Sequence, residues 1–173
     1  IEDEIPFDIP ETWAWARLGT LATFSGGGTP EKGNPAYWGG EIPWASVKDI
    51  HGERLTATVN SITSEGLASK PSISICHPGQ IIVATRLVPG KAIISGIECA
   101  INQDLKVVNT LLPVEYLSIW FKAHLAEFGH IGSGTTVPGI KLSDLESALV
   151  ALPPLAEQQR IVEKTEAIFC QLR

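Results

Sequence analysis

Residues 74–101 read SICHPGQIIVATRLVPGKAIISGIECAI, and this stretch decides the fold class. Isoleucine and valine crowd both sides of Pro89-Gly90, and β-branched side chains prefer the extended, pleated backbone to the helix. Two strands are expected, residues 74–84 and 92–101, the first interrupted by Pro78-Gly79. The turn-forming Pro89-Gly90 between them favours antiparallel pairing. A further short strand follows at 105–108.

Upstream, Pro6 and Pro10 around Phe7 and Ile9 exclude a helix and give an extended lead-in. Trp13, Trp15, Leu18, Leu21 and Phe24 repeat first every second residue and then at helical spacing, so a strand and a short helical turn both fit. Residues 29–40 read as a loop punctuated by Pro30, Gly33, Pro35 and Gly39, and Ile42, Trp44 and Val47 as a short strand. Downstream, Leu117, Trp120, Phe121 and Leu125 lie on one face of a helix over 115–128. A glycine-rich loop at 129–139 precedes Leu142, Leu145 and Leu149, a short helix capped by Ser143 or Asp144. After Pro153-Pro154, residues 155–173 form a helix with Ile161, Thr165, Ile168 and Leu172 spaced by four, three and four. The fold class is thus α+β: a twisted, mostly antiparallel sheet with a few helices and long polar loops over 1–152, then a terminal helix over 153–173. That helix is too short to be stable alone in water, so its stripe is expected to find a partner.

Composition sets limits. The length suits one compact domain, and 44% apolar residues supply a core. Thirteen basic against nineteen acidic residues leave a net charge of -6, which by itself argues against phosphate binding, although a basic face can coexist with an acidic back. The three cysteines, Cys76, Cys99 and Cys170, form neither a disulfide framework nor a zinc ribbon, so a reducing cytoplasm is expected. No apolar run is long enough for a membrane span, and residues 1–10 do not resemble a signal peptide. The lack of methionine suggests a piece of a longer polypeptide.

Motifs that carry chemistry are mostly excluded. Ser25-Gly26-Gly27-Gly28-Thr29-Pro30 lacks the lysine of a phosphate loop and has Glu31 where a dinucleotide fingerprint needs glycine, so a tight turn is expected. His51, His77, His124 and His130 show no metal-binding spacing, and no nucleophile elbow surrounds a serine. Tyr37-Trp38 and Trp44 admit a stacking platform, but large aromatics supply core burial first. The basic residues speak through position: Lys32, Lys48, Arg54, Lys70, Arg86, Lys91 and Lys141 fall in or near loops, where they suit phosphate or base contacts. Arg86 and Lys91 bracket one turn, and the arginine fork matches the guanine edge. Ser133, Thr135 and Thr136 add hydroxyls to the glycine-rich loop.

The order of motifs names a family. Ile9-Pro10-Glu11-Thr12-Trp13, Gly27-Gly28-Thr29-Pro30, Tyr37-Trp38-Gly39-Gly40 and Ile42-Pro43-Trp44 come first. Pro78-Gly79, Gly90-Lys91, Asn102-Gln103, Gly134-Thr135-Thr136 and Leu152-Pro153-Pro154-Leu155-Ala156-Glu157-Gln158-Gln159 follow. Together they resemble a target-recognition domain of a Type I restriction-modification specificity subunit, over nearly the whole chain. The resemblance implies a non-catalytic module that reads one half of a bipartite double-stranded DNA target. It implies no cofactor in this chain, with S-adenosylmethionine, ATP and magnesium used by separate methyltransferase and restriction subunits. It also implies that the terminal helix starts a coiled-coil spacer, where Ile161, Thr165, Ile168 and Leu172 pack toward a second recognition domain of the same subunit. Asp104 departs from the pattern, since many relatives have glycine after the asparagine-glutamine pair.

Specificity is expected between the shared motifs, at Lys48, Arg54, Arg86, Lys91, Ser133, Thr135 and Lys141. The competing readings are a protein-interaction module without DNA binding, and an enzyme using Cys76, His77 or carboxylates.

Overall fold

The computed structural model describes residues 4–131 and 139–171. The central feature is β10 (Leu105–Thr110), which lies between β2 (Ala22–Gly26) and β7 (Ile81–Ala84) in a five-stranded sheet continued by β8 (Ala92–Ser95) and β4 (Arg54–Leu55). A four-stranded sheet orders β5 (Asn60–Ile62), β3 (Trp38–Ala45), β9 (Cys99–Ile101) and β6 (Ile75–Cys76), and β1 (Ala14–Arg17) pairs with β11 (Leu149–Leu152) as a separate ribbon. Pairing is antiparallel except for β3 with β9 and β4 with β8, so the architecture is α+β and mostly antiparallel, though spread over three sheets.

The 74–101 stretch is therefore four strands in two sheets. Gly79, at φ +88°, turns the chain after β6, and the Gly79 N–H reaches Ser95 O at 2.7 Å. Residues 96–98 break the second run in the same way, so β7 pairs with β8 and β6 with β9, each antiparallel. The continuous apolar run of β7 follows from burial on both faces. Ile81 and Val83 face the helices, while Ile82 and Ala84 face the four-stranded sheet.

The helix layer comprises α3 (Val114–Ile131), the short α1 (Leu18–Leu21) and α4 (Leu142–Ser147). Leu117, Trp120 and Phe121 are buried as the periodicity requires, but Leu125 is 38% exposed and Phe128 completes the face instead. Phe128 lies one full helical repeat beyond Phe121 and Leu125 falls beside that row. Residues 13–24 contain both of the elements that their mixed periodicity admits, a strand and a helical turn. Trp38 begins β3 four residues before the expected strand, and Val47 leaves it for a 3-10 turn clipped by Asp49. The expected cap of α4 also shifts: Lys141 is the N-cap, Asp144 accepts the Lys141 N–H at 3.3 Å, and Leu149 belongs to β11. A short helix α2 (Ser64–Ala68) follows β5.

The terminal helix α5 (Leu155–Gln171) packs against α3. Three hydrogen bonds hold its start in place. Trp13 Nε1 donates to Glu157 Oε2 at 2.9 Å, and the buried Gln158 donates Nε2–H to Pro153 O at 2.8 Å. Tyr116 on α3 donates its hydroxyl to Ala151 O at 2.7 Å. Ile161 and Thr165 are half-buried, Ile168 is 50% exposed, and Leu172 lies outside the described residues. Among the described residues, no helix is long and apolar enough to cross a membrane.

Candidate nucleic-acid interface

Four loops converge at one end of the two larger sheets. Residues 27–34 leave β2, the 3-10 turn Val47–Asp49 leaves β3, residues 102–104 join β9 to β10, and residues 85–91 join β7 to β8. Between them lies an open cleft of about 440 Å³, lined by Thr29, Lys32, Lys48, Asn60, Leu87, Gln103 and Asp104 among others. That volume admits the edge of a base together with its hydration.

Each wall is held by a specific bond. Gly28 N–H donates to Ile101 O at 3.0 Å, which lays the 27–34 loop along β9. A Cβ at Gly27 would stand 2.0 Å from Asn102 O, so the glycine run serves the close approach of two backbones. Trp44 Nε1 donates to Gly28 O at 3.0 Å and Trp38 Nε1 to Glu31 O at 3.1 Å. The two indoles meet edge-on with centroids 5.1 Å apart, and Trp44 is buried. These rings brace the loop that carries Lys32; they do not form a flat stacking platform.

Lys48 stands exposed on its 3-10 turn because the buried Asp49 ties that turn down. Asp49 Oδ2 accepts from Ser46 N–H and Oγ–H at 2.8 and 2.9 Å, and Oδ1 accepts from Val59 N–H at 2.7 Å. Across the cleft, Thr29 of the 27–34 loop donates its hydroxyl to Gln103 Oε1 of the 102–104 loop, and Gln103 Nε2 donates to Asp104 Oδ2 at 3.3 Å. Arg86 Nη1 lies 3.4 Å from Asp104 Oδ1. Next to it, Leu87 is half-exposed with φ +69°, a left-handed conformation that a branched side chain rarely adopts.

The expected site residues thus divide. Lys48 lines the cleft, and Arg86 stands at its margin, 3.4 Å from the cleft residue Asp104. Lys91 closes the same turn as Arg86, its N–H donating to Val88 O at 3.1 Å. Gly139 bridges to Arg86 and Ile140 N–H donates to Thr85 O at 2.9 Å, which brings the exposed Lys141 to this end of the molecule. Arg54 is not brought to the cleft. It lies on β4 at the sheet edge, 3.5 Å from Glu115 of α3, in a groove that Thr165 and Phe169 of α5 also line. Ser133, Thr135 and Thr136 lie outside the described residues.

The sequence reading named Lys32 as a loop cation without placing it among the specificity residues, passed over Asn60 and Asp49, and saw Asp104 only as a departure. Lys32 carried the same signal as Lys48, a cation in a polar loop. The role of Asp49 carried none, because its partners Ser46 and Val59 meet it only after folding.

Away from the cleft, Cys76 and Cys99 are buried register partners on β6 and β9. The neighbouring Cys99 thiol and burial push Cys76 up, while the hydrogen bond from Cys76 holds Cys99 down. His77 Nδ1 meets Glu98 Oε2 at 2.8 Å on the surface. Among the described residues, no group of three or more His, Cys, Asp or Glu is placed to share a metal ion.

Residues 10–170 match the family model for the Type I restriction modification DNA specificity domain. A Type I restriction enzyme specificity subunit of Escherichia coli is 30% identical over 164 residues, covering 86% of this chain and 39% of the relative. One from Methanocaldococcus jannaschii is 28% identical over 160 residues, covering 88% of this chain and 37% of the relative. The chain thus spans about two fifths of the length of these relatives. The fold is shared with a chain from a type I R-M system complex, at TM-score 0.78 and 24% identity over 97% of this chain and 41% of that one. It is also shared with the HsdS subunit of Thermoanaerobacter tengcongensis, at TM-score 0.76 and 20% identity over 97% of this chain and 40% of that one.

Proposed function

Because the chain belongs to the Type I restriction modification DNA specificity domain family, we propose that it reads one half of a bipartite double-stranded DNA target. The observation that carries this reading is the cleft where loops from both large sheets present Lys32, Lys48 and Gln103 and the start of β5 presents Asn60, with Arg86 at its margin. Cations of this kind suit phosphates and the guanine edge, and amides suit the adenine edge. The braced loops hold those groups in place before DNA arrives, which lowers the ordering cost of binding.

In this reading the module is non-catalytic and acts in the cytoplasm. Methyl transfer from S-adenosylmethionine belongs to a methyltransferase subunit, and cleavage with ATP and magnesium to a restriction subunit. Residues 1–152 are the recognition domain, and residues 153–173 start a spacer helix whose exposed Ile168 packs toward a second recognition domain. The net charge of -6 means that affinity depends on those subunits and on a few well-placed cations.

The test is to co-express the full specificity subunit with its methyltransferase partner and map methylated sites across a genome. A consistent bipartite motif is expected, with one half changing when residues 1–152 are exchanged for those of a relative. Methylation without any recurring motif would overturn the reading in favour of a protein-interaction module.

A further inference from the structure

Asp104 occupies the point where the 102–104 loop meets the 85–91 turn, and it lines the cleft. Its backbone is fixed: Asp104 O accepts from Thr85 N–H at 2.8 Å and from Thr85 Oγ–H at 3.1 Å. Its carboxylate is 14% exposed, and the two oxygens are placed unequally. Oδ2 accepts from Asn102 Nδ2 at 3.4 Å and Gln103 Nε2 at 3.3 Å. Among the described residues Oδ1 has no hydrogen-bond donor; it is shut off from solvent and faces Arg86 Nη1 at 3.4 Å. A desolvated carboxylate oxygen without a donor is costly, and such an atom calls for a role.

Stability is not that role. The Arg86 side chain is 54% exposed, and an ion pair so open to water contributes little to folding. Orientation is different. A guanidinium drawn to a carboxylate through one edge keeps its remaining N–H groups, in a rigid plane, for a second partner. Steered by a carboxylate that is itself held by Asn102 and Gln103, Arg86 loses less side-chain freedom when it engages a base.

We propose that Asp104 is a positioning residue for base recognition, holding Arg86 on the cleft margin so that its free edge meets the major-groove edge of a guanine. This rests on the reading of the chain as a DNA-recognition domain. The Thr29–Gln103–Asp104–Arg86 chain of contacts then joins two walls of the cleft, and a change at either end is felt by the reading arginine.

The experiment uses the full specificity subunit bound to its methyltransferase partner, titrated with the cognate duplex and with duplexes carrying each single base-pair substitution in this half of the target. Asp104→Asn keeps the shape and removes the charge; Arg86→Lys keeps the charge and removes the fork. Both are expected to lower discrimination at the same guanine-containing base pair by roughly tenfold or more, leaving other positions and thermal unfolding unchanged. A uniform loss across all duplexes with Asp104→Asn, or losses at different base pairs for the two variants, overturns the proposal. Unaltered selectivity in Arg86→Lys overturns it even if Asp104→Asn fails to fold. A wild-type complex with no base preference in this half would instead sink the DNA-recognition reading itself.

Discussion

Replacing Gly27 by alanine tests whether the cleft end of the molecule is built on close backbone contact. The new Cβ would stand 2.0 Å from Asn102 O and 2.5 Å from Ile101 O, where ordinary contact needs more than about 3 Å. Both neighbours are backbone and cannot rotate away, so the 27–34 loop must lift by about 1 Å from β9. The lift strains the Gly28 N–H bond to Ile101 O and the Trp44 Nε1 bond to Gly28 O, each 3.0 Å. Overpacking of this kind costs about 1–3 kcal/mol, and a buried polar group left unpaired costs about 1–3 kcal/mol more. The expected loss is therefore about 2–6 kcal/mol in urea unfolding followed by tryptophan fluorescence, with a red-shifted native spectrum as Trp44 loses its partner. Gly27 is not among the glycines with positive φ, so sterics alone is being tested. A loss below about 1 kcal/mol with an unshifted spectrum would refute the reasoning.

Three further outcomes are expected. Phe121, fully buried between α3 and the five-stranded sheet, should cost about 3–5 kcal/mol on truncation to alanine in the same unfolding assay; a cost under about 1 kcal/mol would mean that this layer is not tightly packed. Burial, and then the charge of Glu157, push the Tyr116 phenol up from 10.0 to about 12, so folding favours its neutral form. Stability from this group is full below pH 10.0 and is lost as pH rises through about 12, on the order of 2–3 kcal/mol in all. Tyr116→Phe should lose about 1 kcal/mol at about pH 8 and flatten the alkaline decline, and an equal decline in both proteins at about pH 11 would remove Tyr116 as its cause. Lys48→Ala in the assembled complex should weaken binding evenly across sequences and reduce the salt slope by about 1, so a changed site preference would make Lys48 a base reader instead.

Local chemistry alone made much of this protein legible. The β-branched runs at 74–101 and 105–108 read as strands, the Leu117, Trp120 and Phe121 face read as a helix, and Pro153-Pro154 marked the last change of element, because each signal lies within a few neighbouring residues. The ordered motifs also carried the family. Several of these motifs prove to be joints: Trp13 bonds Glu157, Gly27 abuts Asn102, and Gln158 bonds Pro153.

Only the tertiary structure decided which strands share a sheet and which cations share a cleft. The halves of 74–101 separate because Gly79 and residues 96–98 turn the chain between sheets, and period-two patterning cannot say which partner a strand will find. Lys48 and Arg54 looked alike as loop cations, yet Asp49 holds one at the cleft while β4 pairs the other with Glu115 at the far edge. Asp104 looked like a departure from a pattern until folding set its carboxylate against Arg86. A charge acquires its role from the groups it faces, and across 18 residues of sequence that facing is created by the fold alone.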